Sequence, residues 1–204
     1  LGYQSLDANT VGHSNVAVGT NALLSNTDGD YNIAVGRNAL DANTTGGSNV
    51  GIGWSALSAN TTAGNNVAVG YETLKLNTTG ANNTALGYQA LEANTIGHSN
   101  VAVGTNALIA NTEGLYNVAV GRLALDANID GDSSVAVGYN ALSANTASNN
   151  VAVGYNAASS NTSGTSNTAV GTQAGNTTTT GANNTFLGFD AEASSATVSN
   201  EITL

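Results

Sequence analysis

Few residues of this 204-residue chain could do chemistry, and they are thinly spread. There is no cysteine, and His13 and His98 are the only histidines. No serine and carboxylate recur with a histidine at the spacing of a nucleophilic site. The many glycines are periodic and contain no GxxxxGK[ST] phosphate loop. We therefore expect the protein not to be an enzyme and to use no cofactor, with both histidines as surface turn residues.

Acidic pairs are the only candidates for metal ligands. Asp28 and Asp30 lie in "TDGD", and Asp130 and Asp132 lie in "IDGD". Carboxylates in a glycine turn are the ligands that Ca²⁺ prefers, but the glycine-rich aspartate nonapeptides of calcium-binding β-rolls are absent. The sequence favours no metal site. Sequons such as the one at Asn43 are expected from turn chemistry in a chain rich in Asn and Thr.

The charge balance disfavours two classes of partner. The formal net charge is −10, and only Arg37, Lys75 and Arg122 are positive. Nucleic acids and anionic membrane surfaces are bound through basic patches. We therefore expect neither nucleic acid nor membrane as a partner.

One set of residues varies as a binding surface would. It follows a recurring glycine and is named here the post-glycine row: Tyr3, Thr20, Arg37, Trp54, Tyr71, Tyr88, Thr105, Arg122, Tyr139, Tyr155, Thr172 and Phe189. Aromatic rings and arginines are the side chains that grip sugars and proteins. The candidate ligand-binding residues are Arg37, Trp54, Tyr71, Tyr88, Arg122, Tyr139 and Tyr155. The alternative, which we favour, is that they pack across a corner of the fold or between subunits.

A short repeat must position these residues. The repeat glycines are Gly2, Gly19, Gly36, Gly53, Gly70, Gly87, Gly104, Gly121, Gly138, Gly154, Gly171 and Gly188. Their spacing is 17 residues except for one of 16, between Gly138 and Gly154. The missing residue lies in the turn sequence "NTASNN", since a strand would not tolerate a one-residue slip. Residues 1–47 also match residues 86–132, which indicates duplication of a five-unit block. Such short repeats are typical of solenoids.

Each position of the repeat has a predicted role. Val-Ala-Val before the glycine predicts a short strand, with both valines pointing into the coil and the alanine outward. Leucines such as Leu23 form the second wall of the core. Asn-Thr-x-Gly is a turn whose glycine permits positive φ, and the asparagine that precedes most strands stacks in a hydrogen-bonded ladder.

The predicted fold class is all-β, a parallel β-solenoid of about twelve 17-residue coils and, at about 4.8 Å per coil, a rod about 58 Å long. We expect the array to span residues 1–189 and an exit segment with a partial further rung to span 190–204. Because both ends lie in mid-repeat, we expect the chain to be a fragment.

A strip of outward alanines predicts an oligomer. The central strand residue is Ala17, Ala34, Ala68 and so on along the chain. If this position faces outward, the strip forms a smooth apolar surface of a kind that monomers seldom expose. We expect a parallel homotrimer in which the strips meet at the axis. The alternative is that alanine is merely tolerated on an exposed strand.

The repeat resembles those of known fibre proteins. "NVAVGTNAL" and "NTALGYQAL" are similar to the head repeats of trimeric autotransporter adhesins. "NNTALGYQALEANTIG" is closer to the arrays of bacteriophage tail fibres, which precede an endosialidase-type intramolecular chaperone domain. The segment "NTFLGFDAEASSATVSNEITL" resembles the exit from such an array. The 17-residue unit is longer than the usual adhesin-head unit, and neither chaperone nor membrane anchor is present. The resemblance implies a trimeric, extracellular fibre on a virion tail or a bacterial surface.

Three functions are compatible with these observations. The first is a rigid structural and adhesive fibre module that positions or contributes to attachment to a host surface. The second is a side wall that binds a surface glycan or receptor directly through the post-glycine row. The third is an ice-binding solenoid, suggested by the threonine column that includes Thr10, Thr27 and Thr44. That column lies in the turn, and a regular second column on a flat strand is lacking.

Overall fold

The computed structural model describes residues 1–204 as one parallel β-sheet that coils around a narrow core. The sheet has twelve strands in sequence order, and the chain forms no helix. The strands are β1 (Val16–Val18), β2 (Ile33–Val35), β3 (Val50–Ile52), β4 (Val67–Val69), β5 (Thr84–Leu86), β6 (Val101–Val103), β7 (Val118–Val120), β8 (Val135–Val137), β9 (Val151–Val153), β10 (Thr168–Val170), β11 (Thr185–Leu187) and β12 (Ile202–Thr203). The predicted all-β parallel solenoid is confirmed.

Seventeen residues make one lap of the coil. Val16 of β1 lies opposite Ile33 of β2, and the same offset joins the following strands. The shorter unit keeps this pairing, because Val135 of β8 lies opposite Val151 of β9. The deletion therefore falls in the turn, as predicted. At the far end Ile202 pairs with Thr185, so the exit segment contributes a last short strand.

The orientation of the strands is the reverse of the prediction. The central alanines of β2 and of β4 to β10 are fully buried, whereas the flanking aliphatic side chains face outward, with Val16 48% and Leu86 47% exposed. The prediction that valines fill the core and alanines form an outer strip is therefore wrong.

The narrowness of the coil explains this reversal. At Gly51, which replaces the alanine in β3, a Cβ would lie 3.2 Å from the carbonyl oxygen of Ala56 and 3.3 Å from Cδ1 of Leu40. A methyl group nearly fills that space, and a branched side chain would overlap its neighbours. Only a small residue fits between each strand and the leucines opposite, so the valines must point outward.

The leucines form the predicted second wall of the core. They are fully buried from Leu23 to Leu142, beside a second column of buried alanines that starts at Ala22. Each leucine has a left-handed backbone, as at Leu40 with φ 53°. L residues adopt this conformation at a cost, and here the closure of the coil imposes it.

One exchange of volumes interrupts the pattern. Phe186 replaces the strand alanine in β11, and Gly175 takes the place of the leucine eleven residues earlier. A Cβ on Gly175 would lie 2.5 Å from Cδ2 of Phe186, so the ring occupies the space that the leucine fills elsewhere. The core thus keeps its total volume with a different division between its two walls.

Two asparagine ladders satisfy the buried turns. In the turn ladder, Nδ2 of Asn43 donates to Oδ1 of Asn26 at 2.8 Å and to the carbonyl oxygen of Gly46 at 2.9 Å. In the ladder before the strands, Oδ1 of Asn32 accepts from the backbone N–H of Asn49 at 3.0 Å. The predicted ladder before the strands is present, although its side chains bond the backbone of the next coil, and the turn ladder was not predicted. Both replace the water that these buried backbone groups would otherwise need.

The glycine of Asn-Thr-x-Gly has another role than predicted. It does not have positive φ; that conformation occurs two residues later, as at Ser48 with φ 61°. A Cβ on Gly80 would lie 2.6 Å from Oδ1 of Asn77, so the glycine leaves room for the ladder. Positive φ belongs instead to the repeat glycines, where it ranges from 132° to 152°.

The short coil breaks the turn ladder, which gives a first prediction. Nδ2 of Asn145 bonds the carbonyl oxygen of Ala147 alone, and Oδ1 of Asn128 is buried without a partner. Inserting a threonine between Thr146 and Ala147 gives "NTTASNN", close to the intact "NTTAGNN" that begins at Asn60. We expect the free energy of unfolding to rise by about 1 kcal/mol, the contribution of one restored buried hydrogen bond.

Urea unfolding at fixed protein concentration measures this change. The control inserts a threonine between Ala136 and Val137, inside β8, where it turns every following side chain to the opposite face and is expected to be strongly destabilising. Equal destabilisation by both insertions would contradict the account of the short coil.

Candidate functional site

The outward side chains of the strands form one surface that is apolar except for three threonines, named here the valine face. Two outward residues on each of the eleven strands β1 to β11 give 22 side chains, and none is charged. One column is Val16, Ile33, Val50, Val67, Thr84, Val101, Val118, Val135, Val151, Thr168 and Thr185. The other is Val18, Val35, Ile52, Val69, Leu86, Val103, Val120, Val137, Val153, Val170 and Leu187.

The post-glycine row borders this face. Every member after Tyr3 lies two residues beyond the last residue of a strand, within about 7 Å along the chain, and all twelve members are exposed. Backbone hydrogen bonds fix the positions of neighbouring row members. The N–H of Ser55 donates to the carbonyl oxygen of Arg37, and the N–H of Glu72 donates to the carbonyl oxygen of Trp54, both at 2.9 Å. Neighbouring members of the row therefore stand one above the other.

The structure brings six of the seven candidate binding residues into two stacks. In the first, the ring centroids of Trp54 and Tyr71 are 4.9 Å apart and those of Tyr71 and Tyr88 are 5.2 Å apart, with nearly parallel planes.

In the second stack, Tyr139 and Tyr155 are 5.3 Å apart, and the guanidinium of Arg122 lies 5.5 Å from the Tyr139 ring centroid. Arg37 makes no ion pair, side-chain hydrogen bond or cation–π contact. Within each stack the rings cover one another's faces, so only terminal faces and edges remain open.

A polar network flanks the first stack. Nζ of Lys75 donates to Oε1 of Glu72 at 2.6 Å and lies 6.0 Å from the Trp54 ring centroid, while Nε2 of Gln89 donates to Oε2 of Glu72 at 2.8 Å. The hydrogen bond from Lys75 lowers the pKa of Glu72 and raises the pKa of Lys75. Both groups are therefore charged near neutral pH, and the network fixes the lysine beside the indole.

Sequence analysis missed this network, although the sequence carries a signal. The coil that begins at Gly70 has "YETLKLN" where the neighbouring coils have forms such as "WSALSAN" and "YQALEAN". Its Glu72, Lys75 and exposed Leu76 are departures concentrated in one coil. The concentration of exceptions in a regular repeat marks a local site.

One aspartate of each acidic pair accepts a backbone hydrogen bond, and the ring of His98 contacts a tyrosine. Oδ1 of Asp30 accepts the backbone N–H of His13 at 2.6 Å, and Oδ1 of Asp132 accepts that of Leu115 at 2.7 Å. The His98 ring lies edge-on to Tyr116 with centroids 5.2 Å apart. No three metal-ligating side chains come together.

Two carboxylates of the duplicated block are half-buried. Asp41 and Asp126 occupy the same position of the repeat, 85 residues apart, and one oxygen of each is buried without a hydrogen-bond partner. Burial raises the pKa of both carboxyls.

The sequons and the threonine column lie in the turns. The amides of Asn43 and Asn60 are fully buried in the turn ladder, which leaves them inaccessible to glycosylation in the folded chain. Along the threonine column the hydroxyls donate to the next coil, as from Thr27 Oγ1 to the carbonyl oxygen of Thr44 at 3.2 Å. Ice binding remains a prediction, with thermal hysteresis as its test.

Comparisons with protein-family models, with curated proteins and with solved structures found no match for this chain. No helix long and apolar enough to cross a membrane occurs in the fold. No pocket indents the surface. The two extended features of the exterior are thus the valine face and the post-glycine row.

Proposed function

We propose that this chain is a structural and adhesive fibre module: a rigid β-solenoid that assembles as a parallel homotrimer and positions attachment to a host or other surface. Its work in this proposal is mechanical rather than catalytic. The observation that carries the proposal is the valine face, an uncharged strip that runs along eleven strands. The overturned alanine strip no longer supports an oligomer, and the valine face takes its place.

The size of the face supports an interface. Its 22 side chains, two from each of eleven strands, match the roughly 20–30 residues that each partner contributes to a standard protein interface. Monomeric proteins seldom expose a continuous apolar strip of this extent.

The geometry of the face favours another copy of the same chain as its partner. Its side chains repeat at about 4.8 Å, the spacing of neighbouring strands. Only a surface with the same spacing keeps its contacts over all rungs, and a second copy presents one. Three copies, an extracellular setting and a place in a virion tail fibre or on a bacterial surface are supported by the resemblance of "NNTALGYQALEANTIG" to tail-fibre arrays.

Light scattering with mass determination tests the assembly. We expect a mass about three times the 20.1 kDa of one chain. A variant with Val101→Lys and Val135→Lys is expected to be monomeric, because each lysine would bury an unpaired charge at the axis.

The matched control is Ile96→Lys with Ile129→Lys, which adds the same charge at two exposed turn positions outside the valine face. It is expected to keep the wild-type mass, and circular dichroism establishes that both variants are folded. A monomeric wild-type chain would contradict the proposed assembly.

A further inference from the structure

Trp54, the only tryptophan, ends an aromatic stack. One face of its indole is covered by Tyr71, whereas the next row member on the other side is Arg37, which makes no cation–π contact with the ring. The indole is 37% exposed. A flat apolar ring with one open face is the surface on which the C–H groups of a sugar ring stack.

Two of the three basic residues of the chain flank this ring. Arg37 stands one coil before Trp54 in the same row with its guanidinium free, and Lys75 lies 6.0 Å from the ring centroid. Lys75 has given one of its three donors to Glu72, so two remain. In a chain with a net charge of −10, this clustering of cations needs an explanation.

The second stack shows the contrasting arrangement. There the guanidinium of Arg122 lies over Tyr139 and donates to its hydroxyl at 3.2 Å, so the arginine covers the terminal face. The other end of the first stack is Tyr88, and the other end of the second is Tyr155. They are followed in the row by Thr105 and Thr172 and have no cation beside them. Trp54 alone combines an open terminal face with unengaged donors.

The scaffold under the site is rigid. Backbone hydrogen bonds of 2.9 Å tie Arg37 to Ser55 and Trp54 to Glu72, and Glu72 is buried beneath the lysine and Gln89. The donors and the ring are therefore held in place before any ligand arrives, which lowers the entropic cost of binding.

We propose that the open face of Trp54, with Arg37 and Lys75, binds one pyranose ring of a surface glycan. This inference rests on the proposed attachment function and locates the contact on the rod. The sugar would stack on the indole, and the guanidinium and ammonium would donate to its hydroxyl or carboxylate oxygens. The same contacts suit a neutral or an acidic sugar.

Trp54 is its own reporter. The full chain is first screened on a glycan array that carries neutral sugars in one set and uronic or sialic acids in another. The glycans that bind are then titrated into the protein while the fluorescence emission of Trp54 is followed. We expect saturable change in emission, and the arm that gives it identifies the sugar class. Arg37→Ala is expected to weaken binding about tenfold or more, the effect of losing one charge-assisted hydrogen bond. Trp54→Ala is expected to abolish binding on the array.

Two further variants make the test specific. Tyr31→Ala removes an exposed aromatic ring outside the row and is expected to leave affinity unchanged. Arg122→Ala is expected to have a smaller effect than Arg37→Ala. No binding on the array, or losses from Arg37→Ala and Arg122→Ala that are equal, would overturn the assignment.

Mass determination on the same samples separates the two proposals. A trimer that binds no glycan refutes the Trp54 site and leaves the assembly intact. A monomer whose emission responds to a glycan refutes the assembly and leaves the site intact.

Discussion

Ala102→Phe is expected to lower the free energy of unfolding by about 3 kcal/mol, the upper part of the range for overpacking a core. Ala102 is fully buried at the centre of β6. By the equivalence of coils its methyl group faces Leu91, as the glycine of β3 faces Leu40 at 3.3 Å. A ring at this position has no space unless the leucine yields it. Urea unfolding at fixed protein concentration measures the loss.

The natural pair of Gly175 and Phe186 supplies the rescue. Leu91→Gly reproduces Gly175 at the same position of the repeat, eleven residues before Ala102→Phe. Alone, Leu91→Gly leaves a cavity. Together, we expect the two changes to cost about 2 kcal/mol less than the sum of the single variants, a coupling typical of residues in contact. Additive losses would contradict the exchange of volumes between the two walls.

The period of the repeat was enough to predict the coil, but not which face of the strand is buried. The alternation in Val-Ala-Val defines two faces of the strand but does not determine which of them faces the core. The greater hydrophobicity of valine favoured the wrong face. The leucines opposite each strand fill most of the narrow interior, so only a small residue fits on the inward face. The sequence did carry a signal: Thr84, Thr168 and Thr185 replace outward valines, whereas no polar residue replaces the inward alanine in β1 to β11.

The candidate site was predictable in part. A 17-residue lap places Trp54, Tyr71 and Tyr88 on successive coils, so their proximity follows from spacing alone. That the rings stack on each other, and thereby cover most of the faces a sugar would use, depends on side-chain rotamers that spacing does not determine. The ion pair of Lys75 with Glu72 likewise depends on how one exceptional coil folds its long side chains.

Asn94→Asp is the second large effect that we expect. Nδ2 of Asn94 donates to Oδ1 of Asn77 at 2.7 Å and to the carbonyl oxygen of Gly97 at 2.9 Å, and the residue is fully buried. The substitution replaces Nδ2, which donates both hydrogen bonds, with a carboxylate oxygen that faces Oδ1 of Asn77 and the carbonyl oxygen of Gly97. At neutral pH it buries an unpaired charge, and we expect a loss of about 3–5 kcal/mol, as when one partner is removed from a buried pair.

The pH dependence of this loss identifies its cause. Burial disfavours the charged form and raises the pKa of the introduced carboxyl above its value in the unfolded chain, although one of its oxygens keeps the hydrogen bond that Nδ2 of Asn111 donates to residue 94. The unfolded chain then releases the proton first, so stability relative to wild type falls as pH rises from the unfolded pKa, about 3.9, to the raised folded pKa. Below about pH 3.9 the protonated acid donates one hydrogen bond, and the difference from wild type is expected to be smallest.

Asn94→Ala is the matched control, because it removes the same hydrogen bonds without adding a titrating group. Its loss relative to wild type is expected to be independent of pH over the same interval. Urea midpoints of the three proteins across that interval measure the effect. If Asn94→Asp followed the flat profile of Asn94→Ala, the amide would not be buried against carbonyl oxygens as the turn ladder requires. The hydrogen bonds of the turn ladder would then not be what holds the buried turns of neighbouring coils together.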